Sequence, residues 1–263
     1  MITGGIDMGL AYAKAVVLSD GVIIGRAIGR SGGARRPENA RRIWDEALRD
    51  AGVSADQVER LAATGKGRYD VPFRDDQYTE PVCAAKAAGH FCPEAAMIFH
   101  IGADETMVLA LKKDGRIGEW TNSQKCSAGY GLMLETMARR LGLSLEELGG
   151  VDLDRAAPAT VSDGCMPFAE LDALELLNQG VDRLAVAAAV IRSAAVRSSV
   201  VWNDVTVPAA GGAAATGGVT QNRAFMKALE QCTGVSFRVP EDAVYFAAAG
   251  AALLAAEKNG GFE

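Results

Sequence analysis

The stretch AAMIFHIGADETMVLALKKDGRIGEW, residues 95–120, decides the fold because it repeats the pattern of an earlier stretch, GGIDMGLAYAKAVVLSDGVIIGRAI at residues 4–28. In both stretches, apolar and β-branched residues flank a glycine turn and then a DG turn, which is the pattern of three successive strands. The match between residues 3–29 and 95–120 predicts a duplicated unit.

Helical patterns fill most of the remaining chain. Apolar residues recur at helical spacing between Pro37 and Gly52. Further helices are predicted at 79–91, 127–142, 169–179, 182–201, 222–232 and 243–257, with a short strand in SFRV before the last helix. Strands mixed with helices in two similar halves predict an α/β protein with a cleft between two lobes. We place these lobes at residues 1–94 and 95–263, and allow the last helix to pack back on the first lobe.

Composition excludes several classes of protein. The chain has 263 residues, 49% of them hydrophobic and 23% charged, and a formal net charge of −6. An acidic balance gives no basic surface, so neither nucleic acid nor an anionic membrane is an expected partner. The N-terminus shows no signal-peptide pattern, and the most apolar run, LAVAAAVI at 184–191, is too short to span a bilayer. We expect a cytoplasmic protein.

Five cysteines are spread along the chain, and an odd number without a CxxC pair does not predict a disulfide framework. Cys126 lies in SQKCSAGYGLMLE (123–135) and Cys165 in SDGCMPFAELDAL (162–174), each just before a predicted helix start. From the residues alone, both could be small buried hydrophobes, which is what most lone cysteines are. Cys83, Cys92 and Cys232 are interpreted as packing residues.

Three glycine turns could hold a nucleotide, because backbone N–H groups approach an anion where no Cβ intervenes. An aspartate in the first turn could hold a water on Mg²⁺, and a lysine nearby could neutralise phosphate. Neither GxGxxG nor GxxxxGK[ST] occurs, so Rossmann and Walker sites are disfavoured. The residues of the three turns are, in order, Asp7, Gly9 and Lys14; Gly102, Asp104 and Glu105; and Gly217, Gly218 and Asn222.

The two histidines, His90 and His100, are isolated in the sequence. They provide neither a metal triad nor a Ser-His-Asp set, which excludes zinc hydrolysis.

Taken in order, six motifs resemble a known family: IDMG with Lys14, TGKGR (64–68), HIGADE (100–105), QKCSAGYG (124–131), CMPFAE (165–170) and TGGVTQN (216–222). The sequence is similar to the ATP-dependent activators of 2-hydroxyacyl-CoA dehydratases and to the ATP-binding subunits of benzoyl-CoA reductase. The similarity covers almost the whole chain.

The resemblance implies an actin-like, Hsp70-like and sugar-kinase-like fold with ATP and Mg²⁺ between two lobes. It also implies a 4Fe-4S cluster at a dimer interface, with Cys126 and Cys165 as the ligands from each chain. ATP hydrolysis would drive an electron, received from ferredoxin or flavodoxin, onto a partner that reduces a thioester. Carried onto this chain, the catalytic positions are Asp7, Asp104 and Glu105, and the cofactor-binding positions are Gly9, Lys14, Gly102, Gly129, Gly131, Glu170, Gly217, Gly218 and Asn222.

Elementary chemistry is consistent with that arrangement. A cubane needs four thiolates, which two cysteines in one chain cannot supply but two paired chains can. The partial positive charge at a helix N-terminus favours thiolate and an anionic cluster. Gly129 and Gly131 follow Cys126 closely enough for one segment to contact both cluster and phosphate.

The chain departs from the family pattern at two turns. Leu10, Ala11 and Tyr12 stand where relatives have GST-like residues, and His100 stands where DIGGQD begins with aspartate. Losing a carboxylate there weakens the expectation of metal binding and hydrolysis. A heterodimer of paralogous subunits tolerates one diverged site. We therefore favour the ATP-binding iron–sulfur subunit of a benzoyl-CoA reductase complex, bound to acyl-CoA-reducing subunits, over a homodimeric dehydratase activator.

Two other functions stay open. A sugar or acid kinase on the same fold would need a substrate base and no cluster. A nucleotide-sensing structural subunit would bind ATP without hydrolysing it, which the altered HIGADE turn allows.

Overall fold

A computed structural model of the protein describes residues 1–123, 130–164, 166–206 and 211–259. The strands are β1 (Ile2–Met8), β2 (Tyr12–Ser19), β3 (Val22–Arg30), β4 (Arg60–Thr64), β5 (Asp76–Gln77), β6 (Ala95–Ile101), β7 (Thr106–Leu111), β8 (Ile117–Asn122), β9 (Gly212–Thr216) and β10 (Phe237–Arg238). The helices are α1 (Arg36–Ala51), α2 (Glu80–Phe91), α3 (Tyr130–Leu141), α4 (Leu145–Gly149), α5 (Met166–Asn178), α6 (Arg183–Asn203), α7 (Arg223–Thr233) and α8 (Phe246–Asn259).

Two five-stranded sheets share one strand order. The first runs β3-β2-β1-β4-β5 and the second β8-β7-β6-β9-β10. In the first sheet β1 is antiparallel to β2 and parallel to β4, so Asp7 lies opposite Lys14 on one side and Thr64 on the other. The predicted repeat of residues 3–29 at 95–120 is confirmed, because each stretch supplies the three leading strands of its own sheet.

Contacts divide the chain into two compact units. The first comprises residues 1–98, 111–118 and 240–263, and the second 99–110 and 119–239. The sequence placed the division at residue 94 and assigned 240–263 to the second lobe with a return to the first. The structure groups 240–263 with the first unit because α8 packs on β1, α2 and β4.

The core of the first unit relies on close backbone approach. A Cβ on Gly5 in β1 would lie 1.9 Å from the carbonyl oxygen of Ala248 in α8. A Cβ on Gly4 would lie 2.4 Å from the ring of Trp44, which α1 buries against the same sheet. Glycine is therefore required at both positions of β1, since any larger residue would push the helices off the sheet.

Helix α6 is the central helix of the second unit. By length and composition it could cross a membrane, but 78% of its most apolar window is buried inside the protein. It packs on α3, α5 and α7, and Asp182 caps its start by accepting bonds from the amides of Leu184 and Ala185. Burial on that scale is the property of a core helix.

The helix boundaries differ from prediction mainly at their starts. Helix α5 begins three residues before the predicted 169, and the predicted start of the last helix at 243 is a 3₁₀ turn that leads into α8. The short α4 was not predicted, although Ser144 and Glu147 form a capping box at its start. That S-x-x-E signal was present in the sequence.

Candidate functional site

Asp7 and Lys14 form a buried ion pair at the end of β1 in the first unit. The Lys14 ammonium donates to Asp7 Oδ2 over 2.8 Å, and the two side chains are 4% (Asp7) and 15% (Lys14) exposed. The pairing follows from register, because these residues face each other across β1 and β2. Gly9, the third residue of this predicted turn, donates its N–H to the carbonyl of Tyr12 and closes the β1–β2 connection.

The TGKGR segment folds against the same strand end. Gly65 has a φ of 83°, and a Cβ there would lie 2.5 Å from Asp7 Oδ1 and 2.7 Å from the carbonyl oxygen of Met8. Gly67 donates its N–H to that Met8 carbonyl over 2.8 Å. We name Asp7, Gly9, Lys14, Thr64 and Gly65 the first-unit cluster, which gathers a carboxylate, an ammonium and two glycine turns.

In the second unit, the predicted turn at Gly102 follows β6 and is closed by the Gly102 N–H, which donates to the carbonyl of Glu105 over 2.8 Å. Asp104 is the penultimate residue of this turn and is half-buried. The Glu105 carboxylate accepts a bond from the side-chain amide of Asn122 in β8 over 2.5 Å. Two acidic groups are therefore present in the turn itself, whereas the strand end before it carries His100.

His100 is buried, and its Nδ1 is hydrogen-bonded to the hydroxyl of Thr216 over 3.0 Å. Thr216 ends β9, and Gly217 follows it with a φ of 94°. A Cβ on Gly217 would lie 2.3 Å from the carbonyl oxygen of Ile101, so glycine is required for the β9 turn to reach β6. At Gly218, by contrast, a Cβ would meet nothing within 4 Å.

Gly131, in the first turn of α3, brings that helix against both turns. A Cβ there would lie 2.8 Å from the Cα of Ala103, 2.9 Å from the carbonyl oxygen of Gly102 and 3.2 Å from the side chain of Val219. We name residues 100–105, Gly131 and 216–219 the second-unit cluster. Three of the sequence motifs, far apart in the chain, meet in it.

The residues on either side of 124–129 are hydrogen-bonded to the turn of the second-unit cluster or to the residue after it. On one side, Ser123 N–H donates to the Thr106 carbonyl over 2.8 Å, and the Ser123 hydroxyl accepts from the Thr106 N–H over 3.2 Å. On the other side, Leu132 N–H donates to the Ala103 carbonyl over 2.9 Å. The predicted ligand Cys126 and the predicted Gly129 lie outside the described residues.

Cys165 also lies outside the described residues, but its neighbourhood does not. Ser162 N–H donates to the carboxylate of Asp172 in α5 over 2.7 Å, and the Ser162 carbonyl accepts from the Ser193 hydroxyl in α6 over 2.9 Å. Glu170 of α5 accepts from Arg140 of α3 over 2.8 Å. The two helices that follow the two cysteines are thus joined by an ion pair.

Asn222 is placed at the start of α7. Its side-chain oxygen accepts a bond from the Phe225 N–H over 2.8 Å, which is the geometry of a helix N-cap. The predicted nucleotide residue therefore uses its oxygen to begin a helix.

The other cysteines differ in burial. Cys83 is fully buried in α2, and burial raises the pKa of its thiol to about 12. Cys92 is also fully buried, but Cys232 is exposed, contrary to its interpretation as a packing residue. Within the described ranges, no group of three or more His, Cys, Asp or Glu side chains is arranged to hold a metal ion.

The sequence reasoning missed four residues. Thr64 and Thr216 stand first in the quoted TGKGR and TGGVTQN motifs but were not named as site residues. They end β4 and β9, and each is followed by a positive-φ glycine, so the repeated Thr-Gly pair was the signal. Thr106 was missed because nothing in a strand pattern marks it. Arg197 was missed because nothing in the pattern of the predicted helix 182–201 marks one arginine as buried.

A profile of the BadF/BadG/BcrA/BcrD ATPase family matches residues 5–255. An activator of lactoyl-CoA dehydratase from Anaerotignum propionicum is 31% identical, with 98% of each chain aligned. The (R)-2-hydroxyglutaryl-CoA dehydratase activating ATPase of Acidaminococcus fermentans is 31% identical over 97% of each chain. A benzoyl-CoA reductase subunit of Thauera aromatica is 26% identical over 98% of this chain and 94% of that one.

Solved structures with the same fold support this family assignment. The activator of the 2-hydroxyisocaproyl-CoA dehydratase from Clostridium difficile with bound ADPNP superposes with a TM-score of 0.90 at 27% identity, covering 98% of this chain and 95% of that one. A ROK family glucokinase from Streptomyces griseus superposes with a TM-score of 0.61 at 13% identity, covering 98% of this chain and all of that one, which shows the fold alone. The predicted actin-like and sugar-kinase-like α/β fold is confirmed, and the chain belongs to the BadF/BadG/BcrA/BcrD ATPase family.

Proposed function

We propose that this protein is an ATP-dependent activator of a 2-hydroxyacyl-CoA dehydratase. The sequence favoured a benzoyl-CoA reductase subunit, and that preference is unconfirmed, because two dehydratase activators match at 31% identity and the reductase subunit at 26%. The homodimeric activator, our alternative from the sequence, therefore fits better. The acyl-CoA substrate would bind on the partner enzyme.

One observation carries the proposal: the turn Gly102–Glu105 and the adjoining Thr106 hold both ends of the segment that carries Cys126. Ser123 is bonded to Thr106 and Leu132 to Ala103. A group that binds this turn must act on both anchors, since the hydrogen bonds share its backbone. Binding of phosphate at the turn would thereby act on Ser123 and Leu132, the bonded residues on either side of Cys126 in the sequence.

The second-unit cluster has the features that a nucleotide phosphate needs. Gly217 and Gly131 are explained by packing against Ile101 and Gly102, but Gly218 is not, since a Cβ there would be in open space. A glycine that packing does not require suits a close approach by a ligand to the backbone. In the first-unit cluster, Asp7 would hold Mg²⁺ or orient water, and Lys14 would fix the carboxylate.

The cysteine chemistry fits an iron–sulfur cluster at Cys126 and Cys165. Cys83 makes a poor thiolate ligand, because burial raises its pKa to about 12. Two thiolates per chain require a second copy, hence a dimer. The bound cluster would supply a low-potential electron received from ferredoxin or flavodoxin in the cytoplasm. The Glu170–Arg140 pair would keep α5 and α3 together as nucleotide acts on the turn.

A second candidate is a subunit that binds nucleotide without hydrolysing it. The observation that favours it is the buried His100–Thr216 hydrogen bond, which places an imidazole instead of a carboxylate at this strand end. ATP turnover by the wild type, compared with His100→Asp, separates the two. Brisk hydrolysis by the wild type rules out the binding-only function.

The test of the main proposal is anaerobic purification with assays of iron, sulfide and EPR spectrum, with and without ATP. We expect about two iron atoms per chain, a dimer and an ATP-dependent change in the spectrum. Cys126→Ser and Cys165→Ser should each lose the iron, whereas Cys232→Ser, at an exposed cysteine, should keep it. No iron in the wild type, or unchanged iron in both variants, would sink the cluster assignment.

The partner assignment needs its own assay. The reduced protein is mixed with ATP and a 2-hydroxyacyl-CoA dehydratase component, and in parallel with an aromatic acyl-CoA reductase component. ATP-dependent activation of the dehydratase alone is the expected result, and activation of the reductase alone would restore the benzoyl-CoA interpretation.

A further inference from the structure

Arg197 is a buried cation in the apolar helix α6. Its side chain lies among buried residues, with Arg197 itself only 9% exposed, and its Nη1 atom has no hydrogen-bond partner among the described residues. The guanidinium lies 5.5 Å from the centre of the Tyr130 ring, at the first residue of α3. A buried charge normally has a hydrogen-bonded counter-charge. The unbonded Nη1 of Arg197 therefore suggests that a ligand supplies the missing partner.

Within the described ranges, the nearest hydroxyl groups on α6 do not supply a counter-charge. Ser193, Ser198 and Ser199 of the same helix donate their hydroxyls to backbone carbonyls. On α3, the carboxylate of Glu135 lies 3.8 Å from Arg139. The Tyr130 ring gives a cation–π contact, which supports a guanidinium but does not neutralise it.

The Arg197 guanidinium lies beside the ring of a residue that adjoins the second-unit cluster. Tyr130 is the residue before Gly131. The backbone of Gly131 packs so closely on Gly102 and Ala103 that a Cβ there would collide with them. Helix α3 has twelve residues and directs its positive N-terminal end to the same place. A guanidinium with an unbonded Nη1 and a helix N-terminus are both positive, so together they favour an anion with several oxygens.

We infer that Arg197 binds a phosphate group of the nucleotide at the first turn of α3, with the Tyr130 ring holding the guanidinium in place. The inference rests on the proposed function, which requires nucleotide at the second-unit cluster. It assigns the arginine to the phosphate and not to adenosine, because guanidinium forms paired hydrogen bonds with phosphate oxygens. In the nucleotide-free protein, the same charge is a cost to stability.

The destabilisation by this charge in the nucleotide-free protein can be measured, and it distinguishes a phosphate-binding arginine from a structural one. Arg197→Met keeps the apolar stem and removes the charge, so the nucleotide-free variant should melt at a higher temperature than the wild type. The rise in Tm on adding ATP should become smaller in the variant, because the phosphate contact is lost. A structural arginine would give a lower Tm without nucleotide.

The experiment is calorimetric titration of the full chain with ATP, ADP, adenosine and inorganic phosphate, alongside thermal melts. For Arg197→Met we expect Kd for ATP and ADP to rise about tenfold or more, with adenosine unchanged. Arg197→Lys should recover part of the loss. Arg192→Met is the matched control, since Arg192 lies on the same helix and donates to the Leu153 carbonyl, and it should leave every Kd unchanged.

Wild-type affinity for ATP in Arg197→Met would overturn the inference, and so would an equal loss for adenosine with a lowered nucleotide-free Tm. Binding of inorganic phosphate that weakens in Arg197→Met, with adenosine unaffected, supports it. A wild type that binds neither ATP nor ADP overturns the proposed function itself, and the phosphate assignment with it.

Discussion

The ends of β1 and β6 hold equivalent places in two sheets of one strand order, yet they carry different chemistry. Asp7 and His100 are each the penultimate residue of the strand, and each lies beside a strand that ends in Thr and is followed by Gly. Asp7 is bonded to Lys14 of the antiparallel neighbour, whereas His100 is bonded to Thr216 of the strand on the other side. The two units share the backbone arrangement and differ in the side chains it presents.

The shared part of this comparison is steric. Gly65 and Gly217 have φ of 83° and 94°, and a Cβ on either would press on the carbonyl of the last residue of the central strand, Met8 or Ile101. The variable part is chemical, because the first unit holds a carboxylate–ammonium ion pair where the second holds an imidazole–hydroxyl hydrogen bond. Under the proposed function, the first-unit cluster would hold a metal ion or water, and the second would hold phosphate.

The largest expected effect is on ATP turnover and comes from removing the carboxylate of Asp7. Asp7→Asn keeps the shape of the side chain and removes the carboxylate, so ATP turnover should fall roughly 10²–10⁴-fold. His100→Asp should raise turnover, because it gives the second strand end the carboxylate that the first has. Steady-state phosphate release measures both, with Asp45→Asn, an exposed carboxylate on α1, as control. Unchanged turnover in Asp7→Asn would remove Asp7 from the chemistry.

The Asp7–Lys14 ion pair and the His100–Thr216 hydrogen bond should also differ in how much they stabilise the fold. Lys14→Met leaves the Asp7 carboxylate buried without its ammonium and should cost about 3–5 kcal/mol of unfolding free energy. Thr216→Val, the matching change in the second unit, should cost about 1–3 kcal/mol.

Urea unfolding decides this contrast. Arg42→Met, in the exposed Arg42–Glu46 pair, should cost about 0–1 kcal/mol and serves as the surface control. Combining Lys14→Met with Asp7→Asn should recover part of the loss. If Lys14→Met and Arg42→Met lowered the free energy of unfolding equally, the buried Asp7–Lys14 pair would stabilise the fold no more than a surface pair.

Gly65 and Gly217 test whether the two strand ends share the same steric requirement for glycine. Gly65→Ala and Gly217→Ala should each cost about 2–3 kcal/mol, because both combine a positive φ with a collision against backbone. Gly234→Ala also has a positive φ, of 67°, but meets nothing within 4 Å, so it should cost about 1 kcal/mol. Thermal melts give the ranking, and a Gly217→Ala variant as mild as Gly234→Ala contradicts the proposed contact with Ile101.

The smallest effect concerns pH and reports on the first unit. Burial raises the pKa of the Cys83 thiol from 9.0 to about 12, so the folded protein keeps a proton that the unfolded chain loses. The stability from this group is complete below pH 9 and is lost as the pH rises towards 12, at about 1.4 kcal/mol per pH unit. Between pH 8 and pH 10, Cys83→Ala should therefore lose about 1.4 kcal/mol less than the wild type in urea unfolding. Parallel losses in both proteins would contradict the raised pKa.

Sequence pattern was sufficient where it reflects a period or a turn. The duplicated strands, the placement of α1 and the Thr-Gly turns follow from alternation and from glycine at positive φ. Pattern was insufficient where partners are distant in sequence or where one residue type serves two purposes. It marked Asn222 as a nucleotide residue but did not show that its side-chain oxygen caps α7. The family resemblance had grouped Gly102, Gly131 and Gly217 as cofactor-binding positions. The packing of Gly131 against Gly102 and Val219 could not be foreseen, because it arises only from tertiary structure.

The position of α8 in the first unit has a consequence for how the chain folds. The Thr3 hydroxyl donates to the Ala252 carbonyl across 249 residues of sequence. Most of the second unit, residues 119–239, is by contrast one continuous stretch. Contacts of long sequence separation form late because their loop-closure cost comes first. During synthesis the second unit can therefore become compact while Gly5 of β1, which packs on α8, is still exposed. The N-terminal sheet completes its packing last.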